Sequence, residues 1–111
     1  MTVDGVRAVT CRLAGIEAEL EGALAADLGN RDSIRRLVTR ITGIQRTIET
    51  AGPPGTRRAR RRFRHASREL QAFIGVVSRG SKSGKISVGV GERVLARAAD
   101  ARGKILPLQK S

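Results

Sequence analysis

The sequence predicts an all-α protein, a four-helix antiparallel bundle that forms one domain. Apolar residues recur three and four positions apart through long segments, which is the spacing of an amphipathic helix. Glycine and proline separate these segments. Only two of the 111 residues are aromatic, whereas strands usually depend on aromatic and β-branched pairs. A chain of this length suits a single domain and can bury a core without metals or disulfides.

The first helix is predicted over residues 3–28. Its apolar residues share one face, and they are Val6, Val9, Leu13, Ile16, Leu20 and Leu24. Gly29 and Asn30 then provide a typical helix stop. Because the helix contains three glycines, we expect tertiary packing to support it.

The second helix is predicted over residues 32–50, with Asp32 or Ser33 as its N-cap. It carries the most regular apolar stripe in the chain, formed by Ile34, Leu37, Ile41, Ile44 and Ile48. The glycines and prolines of residues 51–55 end it.

The third helix is predicted over residues 56–79, followed by a flexible polar connection over residues 78–85. Its inward-facing residues are expected to be Phe63, Ala66, Leu70, Phe73, Ile74 and Val77.

The fourth helix is predicted over residues 87–102, with Ser87 as its N-cap and Val94 and Ala98 facing inward. Residues 85–91 also alternate as a strand would, but no partner strand is evident, so a loop followed by a helix is favoured. Pro107 is expected to prevent further helix, and the apolar tail around it to pack on the bundle.

Charge is unevenly distributed along the chain, whose formal net charge is +12. Residues 1–30 hold five acidic residues against Arg7 and Arg12, while residues 31–111 hold 20 of the 22 lysines and arginines. Such asymmetry indicates either a polyanionic partner or an internal match between an acidic helix and basic ones.

An arginine cluster in the third helix is the strongest functional candidate, with seven arginines among residues 57–68. At ~100° per residue, four of them share the face opposite the apolar stripe: Arg57, Arg61, Arg64 and Arg68. Three more flank that face, and the second helix adds two: Arg58, Arg60 and Arg62, with Arg35 and Arg46.

Two interpretations of this cluster stay open. The arginines either bind phosphates of a polyanion in a salt-dependent way, or form a solvated face partly neutralised by the acidic first helix. Since no aromatic residue is left over to stack on bases, any nucleic-acid binding should be backbone-directed and weakly sequence-specific.

No catalytic, cofactor or metal site is expected, and we predict a protein that is not an enzyme. The chain has one histidine, His65, and one cysteine, Cys11, too few for a His-based metal cluster. The Gly80–Lys85 segment has three residues between its glycines instead of the four of a phosphate loop. Gly89 and Gly91 lack the third glycine of a dinucleotide loop, because Val94 stands there.

Cys11 is predicted to lie away from the main apolar stripe of the first helix, on a face of small residues shared with Ala14, Ala18 and Ala25. We favour a secondary packing face inside the bundle. The alternative is a helix–helix contact in a homodimer, because small residues permit close approach.

Localisation is left open by the sequence. The N-terminus lacks the pattern of a signal peptide, and no apolar run is long enough to span a membrane. We expect an extracellular location if the chain is part of a secreted parent protein, and a cytoplasmic one otherwise.

Residues from about Arg36 to Leu106 carry a resemblance to a known family. The segment Leu70-Gln71-Ala72-Phe73-Ile74-Gly75-Val76-Val77 fits the pattern L-x-A-F-I-x-x-V, and Gly84-Lys85-Ile86-Ser87 follows as its loop. Val94, Leu95 and Ala98 fall in the next helix of that pattern. The chain thereby resembles a FIMAH-like helical module of secreted multidomain bacterial proteins.

The resemblance implies a non-enzymatic helical interaction or accessory module that binds a protein or cell-surface partner. This chain departs from the module by its strongly basic composition and its additional N-terminal helix. The alternative function is a basic nucleic-acid-binding protein that uses the arginine-rich third helix for sequence-independent phosphate contacts.

Overall fold

The computed structural model describes residues 3–53 and 55–110 and confirms the all-α four-helix bundle. The helices are α1 (Val3–Ala25), α2 (Arg31–Glu49), α3 (Arg57–Lys82) and α4 (Val88–Lys110). The bundle measures 42 × 21 × 19 Å.

The four helices form a closed ring. Each packs against its neighbours in the chain, and α1 also packs against α4, whereas the described residues show no packing between α1 and α3 or between α2 and α4. Neighbours run antiparallel: Gly5 near the start of α1 lies beside Leu108 near the end of α4, and Glu19 beside Arg93. Helices α1 and α3 are therefore diagonal to one another.

The core is the line along which the four apolar stripes meet. All five predicted stripe residues of α2 are buried, as are Phe63, Leu70, Phe73 and Val77 of α3. In α1 the middle of the stripe is buried, while Val6 and Leu24 at its ends are half-buried. Each such side chain contributes roughly 1.5–3 kcal/mol on burial, so the stripes supply the main force that assembles the bundle.

Helix α1 ends earlier than predicted, at Ala25 instead of residue 28, because Asp27 adopts the left-handed conformation with φ of 59°. The Leu28 N–H then donates to the Ala23 carbonyl (2.9 Å) and the Asp27 N–H to the Leu24 carbonyl (3.3 Å). This is a Schellman ending. The prediction that Gly29 and Asn30 stop the helix is therefore wrong.

Asn30 instead begins α2. Its side chain accepts a hydrogen bond from the Ser33 N–H at 3.1 Å, so the expectation of Asp32 or Ser33 as N-cap is also wrong. An Asn oxygen one residue before the helix reaches a free N–H of the first turn, which residues inside that turn cannot do as well.

The two loops at one end of the bundle are joined to each other. Gly29 and Ile86 form an isolated antiparallel β-bridge. The Asn30 N–H donates to the Lys85 carbonyl (2.7 Å) and the Ser87 N–H to the Leu28 carbonyl (3.0 Å). Residues 85–91 thus form a loop with one bridged residue and then a helix. The strand-like alternation there reflects the burial of Ile86 and Val90.

Helix α3 continues to Lys82, three residues beyond the prediction, and the supposed flexible connection over residues 78–85 is mostly helical. Gly84, with φ of 81°, ends it. The Lys85 N–H donates to the Gly80 carbonyl at 3.0 Å, again a Schellman ending. Gly80 sits inside the helix because a Cβ there would collide with Ile86 Cδ1 at 2.7 Å.

Helix α4 runs to Lys110, so the expectation that it stops at residue 102 and that Pro107 prevents further helix is wrong. A proline inside a helix removes one hydrogen bond and costs roughly 3 kcal/mol. Ile105 and Leu108 on either side of it are buried, and two buried aliphatic side chains offset that cost. The chain at Gly103, whose carbonyl loses the bond, is exposed to water.

Gly29→Ala is expected to destabilise the protein by ~1–3 kcal/mol. A Cβ at residue 29 would lie 2.9 Å from the Lys85 carbonyl oxygen and 3.3 Å from Ile86 Cα, so the two loops would have to separate. Urea denaturation followed by far-ultraviolet circular dichroism measures the change.

Gly43→Ala is the matched control, because nothing lies within 4 Å of a Cβ at that helical position. It should stabilise the protein by up to about 1 kcal/mol through helix propensity. Equal effects of the two substitutions would contradict a structural role for the loop bridge.

Candidate polyanion-binding surface

Most of the positive charge lies on one half of the bundle. Helices α2 and α3 together hold 14 lysines and arginines against three acidic residues. Helices α1 and α4 hold seven against six. Since α2 and α3 are adjacent in the ring, their charges form one continuous basic half.

Glu19 of α1 forms its ion pairs on the other half of the bundle, while Glu17 accepts a hydrogen bond from Thr42 Oγ1 of α2 (3.3 Å). Glu19 binds Arg93 at 3.0 Å and Arg97 at 3.4 Å, both on α4. Arg12 of α1 pairs with Asp100 of α4. Among the described residues no ion pair joins α1 to α3, because the two helices are diagonal. The interpretation in which the acidic first helix neutralises the arginine cluster therefore has no contact to support it.

Four arginines of α3 form an exposed row, which we call the outer arginine row: Arg57, Arg61, Arg64 and Arg68. All four lie opposite the buried Phe63 and Phe73, where the helical spacing predicts them. Arg58 beside the row is exposed as well. Within the part of the chain that the structure describes, none of these five side chains has an acidic partner within ion-pair distance.

Arg60 and Arg62 have a different role from the one predicted. Both are half-buried. Arg60 donates to the Gly55 carbonyl (2.8 Å) and Arg62 to Thr50 Oγ1 (2.9 Å). These two arginines hold the connection between α2 and α3 against the start of α3, so they belong to the structural frame of the surface.

Helix α2 adds the predicted Arg35 and Arg46, both exposed. Sequence reasoning missed Arg36 and Arg40, which lie on the edge of α2 that faces the C-terminal part of α3. There they line a cleft of about 440 Å³, which we call the loop-end cleft. Its lining residues are Ser33, Arg36, Leu37, Arg40, Val76, Arg79, Gly80, Ser83, Lys85 and Ile86. The sequence did contain a signal for these two residues, because their i, i+4 spacing places both on one face of α2 beside the apolar stripe.

Apolar surface is scarce on the described part of the molecule. The exposed large hydrophobic side chains are Leu28 (42%) and Val88 (61%), both at the loop end.

Cys11 is exposed and free, and Ala14, Ala18 and Ala25 are exposed too. The expectation of a secondary packing face is therefore wrong, because these side chains are exposed. The homodimer contact at this face stays a prediction.

Two features are absent from residues 3–53 and 55–110, a cluster of metal ligands and a helix able to span a membrane. No three side chains from His, Cys, Asp and Glu come together there as metal ligands would. None of the described helices combines the length and apolar composition needed to cross a bilayer.

Arg62→Gln is expected to destabilise the protein by about 1 kcal/mol, the usual net value of one hydrogen bond. Arg61→Gln is the control and should change stability by less than about 0.5 kcal/mol, as exposed substitutions do. Thermal unfolding followed by circular dichroism compares the two. A larger loss for Arg61→Gln would show that the outer arginine row is structural.

The chain matches no protein-family model, no curated protein and no solved structure. The resemblance to a FIMAH-like module therefore stays a prediction. Most of the residues that carry it, among them Leu70, Phe73, Val77, Val94 and Ala98, are core residues of α3 and α4.

Proposed function

We propose that this protein is a non-enzymatic helical module that binds nucleic acid through phosphate contacts made by α2 and α3. The observation that supports the proposal is the outer arginine row, exposed and without acidic partners among the described residues. Arg58, Arg35 and Arg46 extend the same charge on either side. Clefts and faces of one sign concentrate counter-ions and attract polyanions.

The dimensions of the row suit a nucleic-acid strand. Arg57 and Arg68 are eleven residues apart, which is about 16 Å along a helix. Along the axis of B-DNA each strand rises about 3.4 Å per phosphate. The row therefore covers an axial length of about five phosphates of one strand, and flexible arginine side chains can reach some of them.

Base recognition has no support in this surface. Phe63 and Phe73 are fully buried, so neither ring can stack on a base as single-strand readers require. Arginines without a fixed partner supply charge to the backbone and little sequence information. The expected binding is salt-dependent and tolerant of sequence.

The other function, a module that binds a protein or cell-surface partner, stays a prediction of the resemblance. Protein interfaces usually have an apolar and aromatic centre. The described surface offers two separate exposed large hydrophobic side chains and no exposed phenylalanine. Among such partners the surface fits acidic ones best.

Duplex DNA of arbitrary sequence should bind the protein at low salt and lose affinity steeply between about 50 mM and 200 mM salt. Replacing Arg57, Arg61, Arg64 and Arg68 by Gln should weaken the binding at least tenfold. It should also make the salt slope shallower by roughly 0.9 for each phosphate that the variant no longer neutralises. Fluorescence anisotropy of a labelled duplex at several salt concentrations measures both.

The control compares Arg7→Gln with Lys104→Gln in one variant against Arg57→Gln with Arg64→Gln in another, so that the same charge is removed from α1 and α4 or from α3. Arg7 and Lys104 are exposed and form no ion pair among the described residues. The affinity of the Arg7 and Lys104 variant should stay within about threefold of the original. Equal losses in both variants would show that net charge alone drives binding. Absence of binding at low salt, or tighter binding to polyglutamate than to DNA, would contradict the proposal and favour an acidic protein partner.

A further inference from the structure

The loop-end cleft lies between the first turns of α2, the last turns of α3 and the α3–α4 loop. Its volume of about 440 Å³ falls within the ~300–1,000 Å³ range of small-molecule sites. Four cationic side chains line it: Arg36, Arg40, Arg79 and Lys85. It is separate from the outer arginine row, since Arg79 follows Arg68 by eleven residues, about 16 Å along α3.

No acidic side chain lines the cleft. Within the described residues, none of its four cationic side chains forms an ion pair. The acidic residues that do form ion pairs lie elsewhere: Glu19 on α1, Asp27 in the α1–α2 loop, Glu69 on α3 and Asp100 on α4. Four like charges around one concavity repel each other, and an anion inside it would relieve that repulsion. In an organic diphosphate the outer phosphate carries about −1.5 to −2 and the inner one about −1, so a ligand of about −3 would neutralise most of the four positive charges.

The floor of the cleft is apolar. Leu37 and Ile86 are buried core residues, and Val76 is half-buried beside them. The hydroxyl of Ser33 adds a hydrogen-bonding group at the rim, whereas the Ser83 hydroxyl donates to the Gly80 carbonyl (3.2 Å). Leu37 and Ile86 expose almost no surface, so a ligand with an apolar part would mainly cover Val76.

The backbone takes no part in anion binding here. The N–H groups of Gly84, Lys85 and Ile86 all donate to carbonyls of α3, so they cannot cradle a phosphate as a phosphate loop does. The N-terminus of α2 and the C-terminus of α3 meet at this end with opposite partial charges, which largely cancel. Recognition therefore rests on the side chains.

We propose that the loop-end cleft binds a small organic diphosphate, with the diphosphate held by Arg36, Arg40, Arg79 and Lys85 and the organic part resting on Val76. This site goes beyond the binding of a nucleic-acid strand by the outer arginine row and does not depend on it. A nucleoside diphosphate and an aliphatic diphosphate share the required chemistry.

Isothermal titration calorimetry with ADP, geranyl diphosphate and inorganic pyrophosphate tests the site. At least one organic diphosphate should bind ten or more times as tightly as pyrophosphate, and the tighter of the two identifies the kind of organic group. Pyrophosphate binding as tightly as both organic ligands, or no binding by any of the three, would overturn the proposal.

Two variants test the residues. Replacing Arg36, Arg40 and Arg79 by Gln should weaken the tighter ligand at least tenfold, whereas replacing Arg57, Arg61 and Arg64, with the same reduction in charge, should weaken it less than threefold. Val76→Ser should weaken the organic ligand and leave pyrophosphate unchanged. Circular dichroism confirms that each variant is folded, and equal weakening by the two arginine variants would overturn the assignment to the cleft.

Discussion

The contact between the first and the last helix closes the bundle, and it decides which helices the acidic residues of α1 can reach. Gly5 of α1 lies against Leu108 of α4, and further along the same pair Glu19 of α1 meets Arg93 and Arg97 of α4. Short connections already make consecutive helices neighbours. Once α1 also packs on α4, the ring is complete and α1 lies across the core from α3. Glu19 of α1 thereby pairs with α4, and the outer arginine row of α3 faces water.

The same end of the bundle depends on a second interaction, the pairing of its two loops. The backbone bonds around Gly29 and Ile86 connect the start of α2 to the end of α3. Gly29 is required there for close approach and not for an unusual backbone angle, since a Cβ would meet the Lys85 carbonyl. Because Ile86 is held inward by this pairing, it forms part of the apolar floor of the loop-end cleft. A structural junction and a ligand-sized concavity are therefore built from the same few residues.

The positive charges on α2 and α3 destabilise the folded protein, and the hydrophobic core offsets this effect. Like charges on neighbouring helix faces repel each other and destabilise the compact state. Exposure to water and salt keeps each repulsion small. The 24 buried hydrophobic residues in the described part of the chain stabilise the folded bundle. Arg60 and Arg62 reduce the cost further, because their guanidinium groups donate to oxygens of the α2–α3 connection. The arginines of the outer row have no acidic partner among the described residues, and a bound polyanion would supply one.

The sequence by itself determined the helical class, the number of helices and the buried stripes of α2 and α3, because a period of 3.6 residues is a local property that the chain displays directly. It also placed the outer arginine row on one face of α3, for the same reason. Tertiary structure alone decided the continuation of α4 through Pro107 and the separate role of Arg62. Both depend on burial or on contact with another segment, as with the buried Ile105 and Leu108 around the proline and the Arg62 hydrogen bond to Thr50. The loop-end cleft belongs to the second group, since Arg36 and Arg79 come from different helices and share a concavity only once α2 and α3 pack side by side.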